Sequence, residues 1–109
     1  MSRGAEIRWL CEDAHDIAIS KGWYEQPRAE PELLCLIHSE ISECLEAVRD
    51  GNPPSAQCPG FSCAEVELAD AVIRIADMAA HLGWDLGGAI DAKMAHNQTR
   101  PQRHGGKRY

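Results

Sequence analysis

Glu40 and Glu43 stand three residues apart, and so do Glu67 and Asp70. Both pairs fall in stretches with helical periodicity, where side chains at i and i+3 share a face. Two helices side by side can therefore converge four carboxylates on one spot. Such a cluster repels itself and costs stability unless something neutralises it. Hard divalent cations such as Mg²⁺ and Mn²⁺ do so well, because they prefer oxygen ligands. The expected chemistry is that of a metal site on a helical scaffold.

Four helical segments have to position these acids. The first spans about residues 4–20, where Ile7, Leu10, Cys11, Ala14, Ile17 and Ala18 follow the i, i+3, i+4, i+7 pattern of an amphipathic helix. Gly22 is a plausible stop, and residues 23–30, with Pro27, read as a loop. The second segment opens with Pro31 in its first turn, where a missing N–H costs nothing, and runs to about Asp50. Pro53, Pro54, Pro59, Gly51 and Gly60 mark residues 51–61 as a loop. Ser62 and Glu65 match a capping box for the third segment, which ends near Gly83. Asp85 can cap a fourth, reaching about Asn97, although Gly87 and Gly88 weaken its first turns by roughly 1 kcal/mol each relative to alanine. No stretch alternates like a strand. The chain reads as one all-α domain over residues 1–109, a four-helix bundle with an irregular basic tail from about residue 98.

The wheel of the second segment sharpens the metal reading. Leu33, Leu34, Leu36, Ile37, Ile41, Cys44, Leu45 and Val48 define a broad apolar face, and Glu40 falls inside it. An acid within a core stripe is costly unless it is paired or metal-bound. A plainer reading pairs Glu40 with Arg49 or Arg74. In the third segment apolar residues cover most of the circumference. The polar strip of Glu67, Asp70, Arg74, Asp77 and His81 fits within about 80° at helical geometry. A helix apolar nearly all round is buried between layers or subunits, so its strip faces solvent or a cleft. Three acids beside one arginine favour the cleft.

Composition narrows the classes. At 109 residues the chain has room for one modest core, and oligomerisation is a natural way to bury more. No apolar run of membrane-spanning length exists, and the first residues lack the apolar stretch of a signal peptide. Five cysteines without an export signal fit reduced thiols in a cytoplasm. Cys58 and Cys63 have no second pair to complete a zinc site. Net charge is −6, but Lys93, Arg100, Arg103, Lys107 and Arg108 follow residue 92 with no acid among them, leaving −11 on residues 1–92. An acidic body is a poor nucleic-acid surface. It suits cations held among acids, with basic groups reaching phosphate oxygens.

The two acid blocks, His38-Ser39-Glu40-Ile41-Ser42-Glu43-Cys44-Leu45-Glu46-Ala47 and Glu65-Val66-Glu67-Leu68-Ala69-Asp70-Ala71-Val72-Ile73-Arg74, resemble the ExxE…ExxD signature of the MazG-like, all-α nucleoside triphosphate pyrophosphohydrolases. The closing Lys93-Met94-Ala95-His96-Asn97-Gln98-Thr99-Arg100-Pro101, followed by Arg103 to Lys107, is similar to the end of small phage-type members. The resemblance covers roughly residues 33–107. It implies Mg²⁺-dependent (or Mn²⁺-dependent) hydrolysis of a nucleoside triphosphate, deoxynucleotides first, between the α and β phosphates. The products would be a monophosphate and pyrophosphate, and the assembly a homodimer or homotetramer. It also implies Glu40, Glu43, Glu67 and Asp70 as the metal-binding catalytic set, and Lys93, Asn97 and Arg100 as phosphate contacts. Ser39 and Val66 depart from it where many members place a further acid, as does His96 where phage-type relatives often carry tyrosine.

Two other readings compete. Glu12 and His15 form one ExxH, the unit of di-iron helical bundles, but no second ExxH accompanies it. A non-catalytic helical module could use the polar strip to recognise a basic partner. Trp9, Trp23 and Trp84 are candidates for base stacking, though packing is the commoner use of tryptophan. Asp77 is a candidate fifth ligand or a partner of Arg74, and His38 and His81 are candidate supporting groups.

Overall fold

The computed structural model describes residues 2–101. Arg103, Lys107 and Arg108 of the basic tail lie outside the described residues. Four helices follow one another: α1 (Arg3–Ser20), α2 (Glu30–Arg49), α3 (Cys63–Leu82) and α4 (Leu86–Gln98). The only β pairing among the described residues is an isolated bridge between Pro54 and Ser62.

Local chemistry accounts for the boundaries. Ser2 caps α1 by accepting from the Ala5 N–H, and Gly22, at φ 82°, supplies the left-handed turn after it. Pro31 sits in the first turn of α2. The capping box at Ser62 and Glu65 is complete, each side chain accepting from the other's backbone N–H. Asn52, at φ 51°, accepts through Oδ1 from the Ala64 N–H at 2.9 Å, fastening the loop to the start of α3. Gly83 ends α3 in the left-handed conformation at φ 72°, and Asp85 caps α4 through the Gly88 N–H.

The helices do not close around one shared core. α3 is the centre, packed against both α1 and α2, and α4 packs against α1. Cys11, Ala14, Ala76 and Ala79 form the buried seam between α1 and α3. Small side chains there let the two helices approach closely. The crossing of α4 over α1 is tighter still, because a Cβ on Gly87 would collide with the backbone carbonyl of Gly4. That contact explains why Gly87 occupies a helical position where it weakens the helix. Arg3–Asp91 at 2.8 Å and Arg8–Asp85 at 3.1 Å bracket the crossing.

α3 is not buried all round within a single chain: Leu68, Val72 and Ile73 are about half exposed. Ile41, Leu45 and Val48 of α2 are equally exposed, so much of the apolar face read on that helix lies open. No helix is long and apolar enough to cross a membrane.

Candidate metal centre

The polar strip of α3 turns inward, toward the gap between α1 and α2, and divides there. Its first half meets α2. The carboxylate oxygens of Glu40, Glu67 and Asp70 approach within 4.8 Å of one another. Glu43 stands outside this trio and is exposed, although its carboxylate crowds that of Glu67. The helical offsets of three residues thus bring together three of the four acids as one set and leave the fourth at its rim.

Glu40 is the acid inside the apolar stripe, and only 6% of it is exposed. Arg74 donates from Nε to Glu40 Oε1 at 2.8 Å, the pairing that the plainer sequence reading allowed. It satisfies half of the carboxylate. Oε2 is buried without any hydrogen-bond partner. A buried carboxylate oxygen left without a donor is expensive. Burial pushes the Glu40 carboxyl up. The Arg74 hydrogen bond and charge pull it back, and the group ends below the usual carboxylate range. Glu67 moves the other way. Burial first, then the neighbouring carboxylates of Glu43 and Glu40, push it up to about 7. The cluster therefore carries more negative charge than its surroundings neutralise. One arginine serves one carboxylate, and a neighbouring acid responds by holding its proton.

A cleft of about 290 Å³ opens beside the acids, lined by Glu40, Asp70, Arg74, Asp77, Lys21 and Trp23 over a base of Ala14 and Ala18. Trp23 comes from the loop between α1 and α2. The Arg28 guanidinium lies 4.1 Å from the Trp23 ring centre and that of Arg74 5.0 Å, both within cation–π range. Arg28 also donates from Nε to the Trp23 carbonyl at 3.0 Å. Trp9 and Trp84 do not line this cleft and are largely exposed.

The second half of the strip meets α1 and the loop. Asp77, 7% exposed, lies 2.8 Å from His15 Nδ1 and accepts from the Tyr24 hydroxyl at 2.7 Å. Burial, and the Asp77 carboxylate to which it donates, push the Tyr24 hydroxyl above its usual range. His81 stacks on Tyr24 with ring centres 4.0 Å apart. Asp77 is therefore neither part of the acid trio nor bonded to Arg74. It anchors the loop that carries Trp23. This also places His15 with Asp77 rather than in an ExxH ligand unit with the exposed Glu12.

The proposed phosphate contacts are not gathered here. Lys93 and Asn97 are exposed on α4, Arg100 is exposed just beyond it, and none of the three lines the cleft. Lys21 and Arg74 do. Lys21 carried no signal in the sequence beyond its place before Gly22, and Tyr24 none beyond following Trp23. Asp77 was visible as an acid on the strip, but its partners on α1 and the loop were not.

A second, apolar groove of about 770 Å³ runs along the outer side of α3, lined by Phe61, Val66, Leu68 and Val72. Asp70 and Ile73 border both the groove and the cleft. Comparison of the chain with protein-family models, with curated proteins and with solved structures yields no match.

Proposed function

We propose that the chain hydrolyses nucleoside triphosphates, deoxynucleotides first, between the α and β phosphates in a reaction that needs Mg²⁺ or Mn²⁺. The observation that carries the reading is the unpartnered, buried Glu40 Oε2 within the Glu40–Glu67–Asp70 trio. A donor set of carboxylate oxygens alone fits a hard divalent cation, and the charge left over in the cluster calls for one. Glu40, Glu67 and Asp70 would hold it. When bound, Mg²⁺ supplies charge neutralisation at phosphate oxygens and makes water more acidic.

The chain's own groups divide the remaining work. Lys21 and Arg74 set positive charge on the cleft wall beside the acids, where a triphosphate needs it. Trp23 offers an aromatic face to the same cleft, held by Arg28 and by the anchoring of Tyr24 to Asp77. Glu43, outside the trio yet next to Glu67, is the carboxylate free to accept a proton from attacking water. Lys93, Asn97 and Arg100 reach phosphate only if a second copy brings α4 to the cleft. The exposed apolar flank of α2 and α3 supports such a homodimer or homotetramer, since it borders Asp70 and large exposed apolar patches mark interfaces.

Pyrophosphate release from a panel of ordinary and modified nucleoside triphosphates, with Mg²⁺, tests the reading. Glu67→Gln is expected to lose both cation binding and turnover. Glu43→Gln is expected to lose turnover while keeping the fold and the cation. Release by Glu43→Gln at the native rate, or none from any triphosphate by the native chain, refutes it. A protein that binds no divalent cation would point instead to an interaction module using the strip against a basic partner.

A further inference from the structure

Arg74 is placed between two roles. Its Nε is spent on Glu40 Oε1, but no hydrogen bond joins its Nη1 or Nη2 to another group among the described residues. Its guanidinium lies near the Trp23 ring and lines the cleft shared with Lys21. It follows Asp70 by one helical turn and touches Glu40, so its charge stands beside two of the three acids of the trio. We propose that Arg74 is a tethered stand-in for a divalent cation, holding Glu40 in the metal-free protein and moving off it toward Trp23 and Lys21 when a cation binds, so that the cleft gains an anion-binding guanidinium only once the acids are loaded. The inference rests on the acid trio being a cation site, as proposed above.

Three observations carry it. First, Arg74 uses a single Nε contact where a guanidinium can grip a carboxylate through two parallel bonds, so the pairing is the weaker, more easily exchanged form. Second, a divalent cation shared by Glu40, Glu67 and Asp70 would sit close to the guanidinium, and like charges at that range repel strongly in a half-buried site. Third, there is a place for the side chain to go. The cleft has room for it, one face of it is aromatic, and the Arg74 side chain is already one-third exposed. Exchange of an arginine for a cation on the same carboxylate keeps the buried charge compensated in both states. It also delays the display of the guanidinium until an anion can bridge to the loaded acids, which is an ordered-binding device for a phosphate-bearing ligand.

The test needs no turnover. Signals of the arginine Nε–H groups are followed by NMR in the full chain during titration with Mg²⁺ alone, with the Arg74 resonance identified by its absence from Arg74→Gln, or from Arg74→Lys should the glutamine variant not fold. The expected result is a Mg²⁺-dependent shift of the Arg74 signal, with Mn²⁺ binding at least tenfold tighter in Arg74→Gln and inorganic pyrophosphate binding to the Mn²⁺-loaded protein at least tenfold weaker. An Arg74 signal that stays in place while Mg²⁺ binds overturns the proposal and leaves the hydrolase reading standing. A moving signal in a protein that releases no pyrophosphate upholds it while the hydrolase reading fails. Absence of any cation binding overturns both.

Discussion

Replacing Arg74 with methionine removes the charged partner of a carboxylate that is almost fully enclosed. Deleting one member of a buried ion pair costs about 3–5 kcal/mol, because the other charge is left uncompensated. Here the Arg74 side chain is 32% exposed, so water already screens part of the interaction. The expected loss in metal-free protein is therefore nearer to about 2–3 kcal/mol. For a domain of this length that corresponds to a fall in Tm of about 10–20 °C. Thermal unfolding in a chelator, at fixed protein concentration, measures it directly. Glu40→Gln removes the charge that needs the arginine. The double variant is thus expected to be at least about 1 kcal/mol more stable than the sum of the two single losses implies. Saturating Mg²⁺ is expected to restore Arg74→Met substantially, since a ligand at a hundredfold excess over Kd contributes about 2.7 kcal/mol. An Arg74→Met loss below about 0.5 kcal/mol in the chelator, or strict additivity with Glu40→Gln, would refute the view that this pair holds a costly buried charge.

Further expectations follow from the same geometry. Glu67, raised to about 7, favours the folded state below its ordinary range and loses that contribution as the pH rises through 7, so metal-free Tm should fall between about pH 5 and 7.5 and recover on adding Mg²⁺. Glu40, held low, acts oppositely, losing its contribution only as the pH falls below the usual carboxylate range. Because a proton on Glu67 competes with the cation, Mn²⁺ affinity should drop up to about tenfold per pH unit below 7, and a flat profile would sink that link. Val72→Glu, on the exposed flank of α3, should shift a self-associating protein to monomer in sedimentation analysis; an unchanged mass would place any interface elsewhere. Gly87→Ala gains about 1 kcal/mol of helix propensity but sets a methyl against the Gly4 carbonyl, so a net loss of roughly 1–2 kcal/mol in chemical unfolding is expected.

The helices were legible because their signals are local. Ser62 with Glu65, Asp85 before two glycines, Pro31 in a first turn and Gly83 at a stop each act within a few residues of the boundary they set. The acid pairs were legible for the same reason, since a three-residue offset on a helix fixes a shared face. What no local pattern holds is which helix faces which. The split of the α3 strip, with Arg74 turned to Glu40 and Asp77 to His15, depends on α1 and α2 both packing against α3. Trp23 and Tyr24 belong to a loop, where periodicity is silent; Tyr24 is placed by a contact 53 residues away in sequence and Trp23 lies beside Arg74 of α3. The apolar coverage of α3 was visible, but whether its outer side meets this chain or another is not a property of the helix alone.

The crossing of α4 over α1 has a mechanical consequence. Only Gly87 is buried on α4, so the helix is held by that backbone contact, by Leu86 packed against the α1–α3 seam and by two solvent-facing ion pairs. Raising ionic strength weakens those pairs. This makes α4 the segment that detaches first, as a small unit whose amide hydrogens exchange faster in concentrated salt while those of α3 keep their protection. Lys93 and Asn97 ride on that loosest arm, so their reach is adjustable in a way the rigid acids of the central helix are not.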